Sequence, residues 1–91
     1  MTETTLTRNI SRRLKALGCY VRKIHQGRFG GAALPDLYAR HPDAGETWIE
    51  VKLPGKKPTR LQLAEHDKLR RAGATVLVAR SVDEATAWLG S

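Results

Sequence analysis

Leu34-Pro35-Asp36-Leu37-Tyr38-Ala39-Arg40-His41-Pro42-Asp43-Ala44-Gly45-Glu46-Thr47-Trp48-Ile49-Glu50-Val51-Lys52-Leu53 is the stretch that decides the fold. Its centre, His41 to Glu46, is turn-rich, and the flanks alternate. Leu37, Ala39, Ile49, Val51 and Leu53 hold the odd positions and are apolar. Asp36, Tyr38, Arg40, Trp48, Glu50 and Lys52 hold the even ones. Such alternation predicts two half-buried strands folded into a hairpin, with the odd side chains on the core face. In an antiparallel pair the index sum of facing residues is constant. An even sum puts Asp36 on the same face as Glu50 and Lys52. That face is expected to be polar, with Asp36 and Glu50 at solvent-facing positions.

Two carboxylates and a lysine converging on one face repel or compete unless a cation or a phosphate lies between them. The donor set suits Mg²⁺ or Mn²⁺, hard ions often held by one or two carboxylates plus waters and a substrate phosphate. Asp36 and Glu50 are the candidate ligands, and the Val51 carbonyl between Glu50 and Lys52 is a third. Lys52 is then placed to orient a water or neutralise a phosphate. The plainer reading of Glu50 and Lys52 is a same-face charge pair on a solvated strand.

Outward from this stretch the chain is short. Its 91 residues predict one domain, 1–91, with a modest core. Lys and Arg number 16 against 9 Asp and Glu, a net charge of +7, which favours an anionic partner and nucleic acid first. The one cysteine, Cys19, rules out an internal disulfide and a cysteine zinc cluster. No apolar run is long enough to cross a membrane, and no signal segment is evident, so a cytoplasmic location is expected. Leu6, Ile10, Leu14 and Leu17, followed by Gly18, predict a helix over about 4–17. Tyr20 to His25 reads as a strand. Thr59 caps a helix running to about Ala72, Thr75 to Ala79 is a short buried strand, and Ser81 with Glu84 forms a capping box for a last helix. The order is α-β-β-β-α-β-α: an α/β fold, a small mixed sheet flanked by helices. Gly27 to Gly31 precedes a strand rather than a helix, so a dinucleotide loop is excluded and no nucleotide cofactor is expected.

Pro35-Asp36 followed by Glu50-Val51-Lys52 resembles the PD-(D/E)xK nucleases. The flanks narrow the resemblance to the VRR-NUC group: an early Glu ahead of a helix ending Leu14-Lys15-Ala16-Leu17-Gly18, a lysine strand and Gly-rich loop before Pro-Asp, and a Lys/Pro/Thr turn into a helix bearing Gln62. The resemblance spans nearly the whole chain. It implies a restriction-endonuclease-like fold and a metal-dependent phosphodiesterase acting on DNA. Small stand-alone members are similar to structure-specific nucleases, with four-way (Holliday) junctions as the expected substrate, a homodimer as the expected assembly, and a phage or prophage as a fitting source. The rivals are a flap or nicking nuclease without junction preference, and a non-catalytic DNA-binding factor of the same fold.

The resemblance also assigns Glu3 to the metal and Gln62 to the active site. Each has a structural alternative: Glu3 as an acid favouring a helix N-terminus, and Gln62 as the reciprocal half of a capping box with Thr59. Lys23 aligns with a strand lysine that would face the phosphate, and Arg28 sits at a loop tip. Lys56, Lys57 and Arg60 follow the site strand directly and are the preferred DNA contacts, drawn from a larger pool (Arg12, Arg13, Lys15, Arg22, Arg28, Lys68, Arg70 and Arg71) most of which is read as ordinary solvated charge. His25, His41 and His66 show no ligand spacing, and are read as non-metal residues of which His25 and His66 are free to touch DNA. Tyr38 and Trp48 are expected to pair across the strands.

Overall fold

Leu6, Ile10 and Leu14 recur at four-residue intervals and form one apolar stripe. All three are buried, and they nucleate the core in the computed structural model, which describes residues 1–25 and 33–90. The stripe lies on α1 (Glu3–Ala16), capped by Thr2, whose hydroxyl accepts the Thr5 N–H. Gly18, at φ +96°, stops it; the Cys19 N–H bonds the Leu14 carbonyl and the Gly18 N–H that of Lys15, a Schellman ending. Then follow β1 (Tyr20–Lys23), β2 (Leu37–His41), β3 (Gly45–Val51), α2 (Arg60–Arg71), β4 (Val76–Ala79) and α3 (Val82–Thr86), which continues into a 3-10 turn over Ala87–Gly90.

The strands form one sheet in the order β1-β2-β3-β4. The first three are an antiparallel meander, and β4 runs parallel to β3 after the α2 crossover. In the hairpin Leu37 faces Ile49 and Tyr38 faces Trp48, so the index sum is even, as the alternation requires. Gly45, at φ +86°, closes the turn where a side chain would be strained. Leu37, Ala39, Ile49 and Val51 are buried in one cluster with the α1 stripe, Ala79 and Ala85. Ile10 and Ile49 are fully buried there. Truncating either to Ala costs about 2–5 kcal/mol, since a packed core collapses only partly into the gap.

This is the mixed α/β sheet with helices on both faces that the pattern predicts. α1 and α3 cover the odd face. α2 lies over the even face, because it contacts Glu50, whose side chain points opposite to those of Ile49 and Val51. Details differ at the ends. The first helix begins and ends one residue earlier than its periodicity suggests, and β1 stops at Lys23 rather than His25. Ser81 caps α3, but the Glu84 carboxylate accepts the Arg80 N–H, not that of the cap residue, so the reciprocal half of the box is displaced by one residue. Cys19 precedes the strand; it is buried, and burial pushes its thiol pKa up, as fits a small core residue.

Candidate active site

Asp36 stands just ahead of β2, where the ladder to β3 ends. Its Oδ2 accepts the Val51 N–H at 2.8 Å, so the carboxylate replaces the next rung and is tied to the strand bearing Glu50. Its own carbonyl accepts the Ile24 N–H at 2.8 Å. Pro35, itself buried, fixes the approach. The sharp local turn thus has a physical cause: a short acid can satisfy a strand donor that the chain has turned away from.

Glu50 departs from expectation. It is 1% exposed, not solvent-facing. The reason is α2, which folds over the even face and holds both carboxylate oxygens. His66 Nε2 lies 3.1 Å from Oε1, and Gln62 Nε2 donates a long 3.4 Å bond to Oε2. Gln62 and His66 stand four residues apart and share one face of α2. Glu50 is therefore gripped from behind.

Burial, then the adjacent Asp36 carboxyl, push the pKa of Glu50 up to about 8, with Glu3 adding to the rise and Lys52 opposing it. A cation at this point relieves the repulsion and releases the proton. Among the described residues no group of three His, Cys, Asp or Glu side chains is placed to hold a metal ion. A hard ion that keeps waters and takes few protein oxygens would instead be held by Asp36 and Glu50, with Glu3 near enough to act on Glu50 by its charge but not completing a three-residue group. Val51 is wholly buried and its N–H is committed to Asp36. Its carbonyl is a backbone oxygen adjacent to Glu50 in sequence.

Lys52 follows Glu50 by two positions and so shares its face. Its charge acts on both Glu50 and His66. Burial, then Arg70 and Lys52, push the His66 pKa down, so the ring is neutral. His66 Nδ1 is buried with no hydrogen-bond partner among the described residues. A buried orphan N–H is rarer than a buried orphan acceptor. The proton therefore sits on Nε2 and is donated to Glu50.

The expectation that His66 is free to touch DNA fails: at 1% exposed it cannot reach any. Its part in the site is not visible in the sequence, though its spacing of four from Gln62 is the signal that could have found it. His41 is occupied in its turn, where Nδ1 accepts the Asp43 N–H. Gln62 performs both of its candidate roles. Its Oε1 accepts the Thr59 N–H at 2.8 Å in a complete capping box, while Nε2 faces Glu50. Lys23 pairs with Leu37 and so lies on the α1 side of the sheet, away from Glu50. Lys56, Lys57 and Arg60 are exposed between β3 and α2, and the Lys56 carbonyl accepts two bonds from the Arg80 guanidinium. Tyr38 and Trp48 pair edge to face at 5.3 Å, with the Tyr38 hydroxyl bonded to Glu46. Arg28 and the Gly27–Gly31 loop lie outside the described residues.

No family model matches the chain. Over 54 residues it is 39% identical to "Putative nuclease p44" of Acyrthosiphon pisum secondary endosymbiont phage 1. That stretch is 59% of this chain and 58% of the phage protein, so the match spans little more than half of either. A solved structure described as "VRR_NUC domain" superposes with a TM-score of 0.78 at 33% identity, over 97% of this chain and 94% of that one. With that identity carried across nearly the full length of both chains, on the restriction-endonuclease-like sheet and helices described above, the chain belongs to the VRR-NUC family.

Proposed function

We propose that the chain is a metal-dependent endodeoxyribonuclease, working as a single nuclease domain. The observation that carries this reading is the Glu50 carboxylate. It is buried beside Asp36, raised in pKa first by that burial and then by Asp36, and aimed by Gln62 and His66. A carboxylate kept in so unfavourable a setting is a functional candidate with a stated physical cause.

Asp36 and Glu50 would hold Mg²⁺ or Mn²⁺, with Glu3 and the Val51 carbonyl in support. When bound, such an ion would supply Lewis-acid chemistry, polarising the scissile phosphate and easing deprotonation of water at neutral pH. Lys52 donates hydrogen bonds to the attacking water or to a non-bridging phosphate oxygen. His66 and Gln62 hold Glu50 in one rotamer, which would leave its remaining lone pairs available to an ion. Lys56, Lys57 and Arg60 form a cationic approach next to the site strand. The likeness to a phage protein favours a phage- or prophage-encoded enzyme acting where DNA lies, in the cytoplasm.

Branched DNA is the substrate class that suits the small size and the basic surface. A four-way junction presents two equivalent strands, and a two-fold dimer presents two sites in matching symmetry. The test is cleavage of linear, flap and four-way DNA under Mg²⁺ and Mn²⁺, with sedimentation at micromolar protein. Metal-dependent cutting that is lost in Asp36→Asn supports the nuclease reading. No cutting of any substrate by the wild type refutes it. Cutting of linear duplex as fast as junctions, or a monomer with and without DNA, refutes only the junction and dimer part.

A further inference from the structure

A groove between α1 and the end of β1 takes no part in the chemistry above. Arg8, Arg12, Lys15 and Lys23 line it, with the hydroxyls of Thr4 and Ser11 between them. On α1 the positions 4, 8, 11, 12 and 15 share one face, well away from the buried stripe of Leu6, Ile10 and Leu14. All four cations are exposed, and among the described residues none is in an ion pair. The lining holds no carboxylate.

Its lining includes Thr4 and Leu37, and Leu37 places it on the α1 side of the sheet, the face opposite to Glu50. From Thr4 to Lys15 the helix rises roughly 16 Å, about five base-pair steps of duplex at 3.4 Å each. Along that line Arg8, Arg12 and Lys15 repeat at intervals of roughly 4–6 Å, a regular array of positive charge. The cavity, about 400 Å³, is large enough for a small molecule. Its rim of four cations with hydroxyls between them favours an anionic ligand, and a chain of phosphates can engage all four at once. Hydroxyls and guanidinium groups in alternation are the usual donors to phosphate oxygens.

We infer that this groove carries a stretch of the phosphodiester backbone of the bound nucleic acid, outside the carboxylate site. Arg8, Arg12, Lys15 and Lys23 are its phosphate contacts. The ligand's identity rests on the nuclease reading, but the binding can be measured without cleavage.

The experiment uses fluorescein-labelled 30-bp duplex and a four-way junction in EDTA, with anisotropy read from 50 to 300 mM salt. The groove variant is Arg8→Ala/Arg12→Ala/Lys15→Ala. A charge-matched variant, Arg13→Ala/Lys68→Ala/Arg71→Ala, removes three cations elsewhere. Alanine in exposed helix positions preserves the fold, which circular dichroism checks. The groove variant should bind at least ~10-fold more weakly at 0.1 M salt. Its slope of log affinity against log salt should be shallower by about 2–3, close to 0.9 for each phosphate no longer neutralised. Its Mn²⁺ affinity should match wild type, as should the DNA slope of the charge-matched variant. An unchanged slope in the groove variant overturns the assignment. So does equal flattening in both variants, or equal weakening of polyglutamate binding. If the wild type binds DNA through this groove yet cuts nothing, the groove stands and the nuclease reading falls.

Discussion

His66 Nε2 lies 3.1 Å from Glu50 Oε1, and both side chains are 1% exposed. A neutral imidazole donating to a buried carboxylate from behind orients the group without occupying the lone pairs that face the site. His66→Leu should therefore weaken Mn²⁺ binding by about 10–100-fold, with a similar loss of turnover, the scale seen when a ligand's supporting partner is removed. His66→Gln, which keeps a donor, should recover part of both. Calorimetric Mn²⁺ titration decides, and wild-type affinity in His66→Leu rules out the positioning role.

Gln62 bridges the helix cap and the site, and two substitutions separate these tasks. Thr59→Ala removes the cap hydroxyl and leaves Gln62 facing Glu50. It should lower stability by about 1 kcal/mol with near-normal turnover. Gln62→Ala removes both bonds and should lower turnover as well as stability. Denaturant midpoints and single-turnover rates are the measurements; equal turnover in the two variants would leave Gln62 as a cap alone.

Lys52 carries its charge close to Glu50 without a role in the core. Lys52→Ala should reduce turnover by at least ~100-fold, as general acid–base or electrostatic roles do, while DNA affinity falls far less. Glu50→Gln is the informative partner variant. Unlike Glu50→Ala, it fills the same volume and still offers an acceptor to His66, so lost cleavage in a stable protein can be assigned to the carboxylate. A parallel fall of affinity and turnover in Lys52→Ala would make it a binding residue only.

The raised pKa of Glu50 has a sign that can be measured. Its ordinary value is 4.5, and the fold pushes it up to about 8, chiefly by burial. Between these values the folded protein binds more protons than the unfolded chain, so metal-free stability should fall as pH rises through this window. Glu50→Gln should remove most of that slope. Metal binding runs the other way: the ion needs the deprotonated carboxylate, so Mn²⁺ affinity should fall by up to about tenfold per pH unit below 8, with proton release on binding. Thermal melts and titrations in two buffers of different ionisation enthalpy test both, and a pH-independent Mn²⁺ affinity would contradict the assignment.

What the linear chain determined by itself is whatever depends on period and local chemistry. Alternation in Leu37–Leu53 set the hairpin register, because a one-residue slip would turn Ile49 and Val51 out of the core and Glu50 into it. The stripe of Leu6, Ile10 and Leu14, the Thr59–Gln62 box and Gly18 set the helix limits, because caps act within a few residues. The pairing of Asp36 with Glu50 followed from the same parity. What only the tertiary structure decided is which side of the sheet each helix covers. Glu50 reads as an exposed strand acid because alternation reports a face and not what lies over it. Its burial, its raised pKa and its bond to His66 all come from α2 crossing over the even face, a contact sixteen residues away in sequence. Lys23 went to the α1 groove for the same reason: pairing with Leu37 fixes its face, and long-range packing alone determines which helix lines that face.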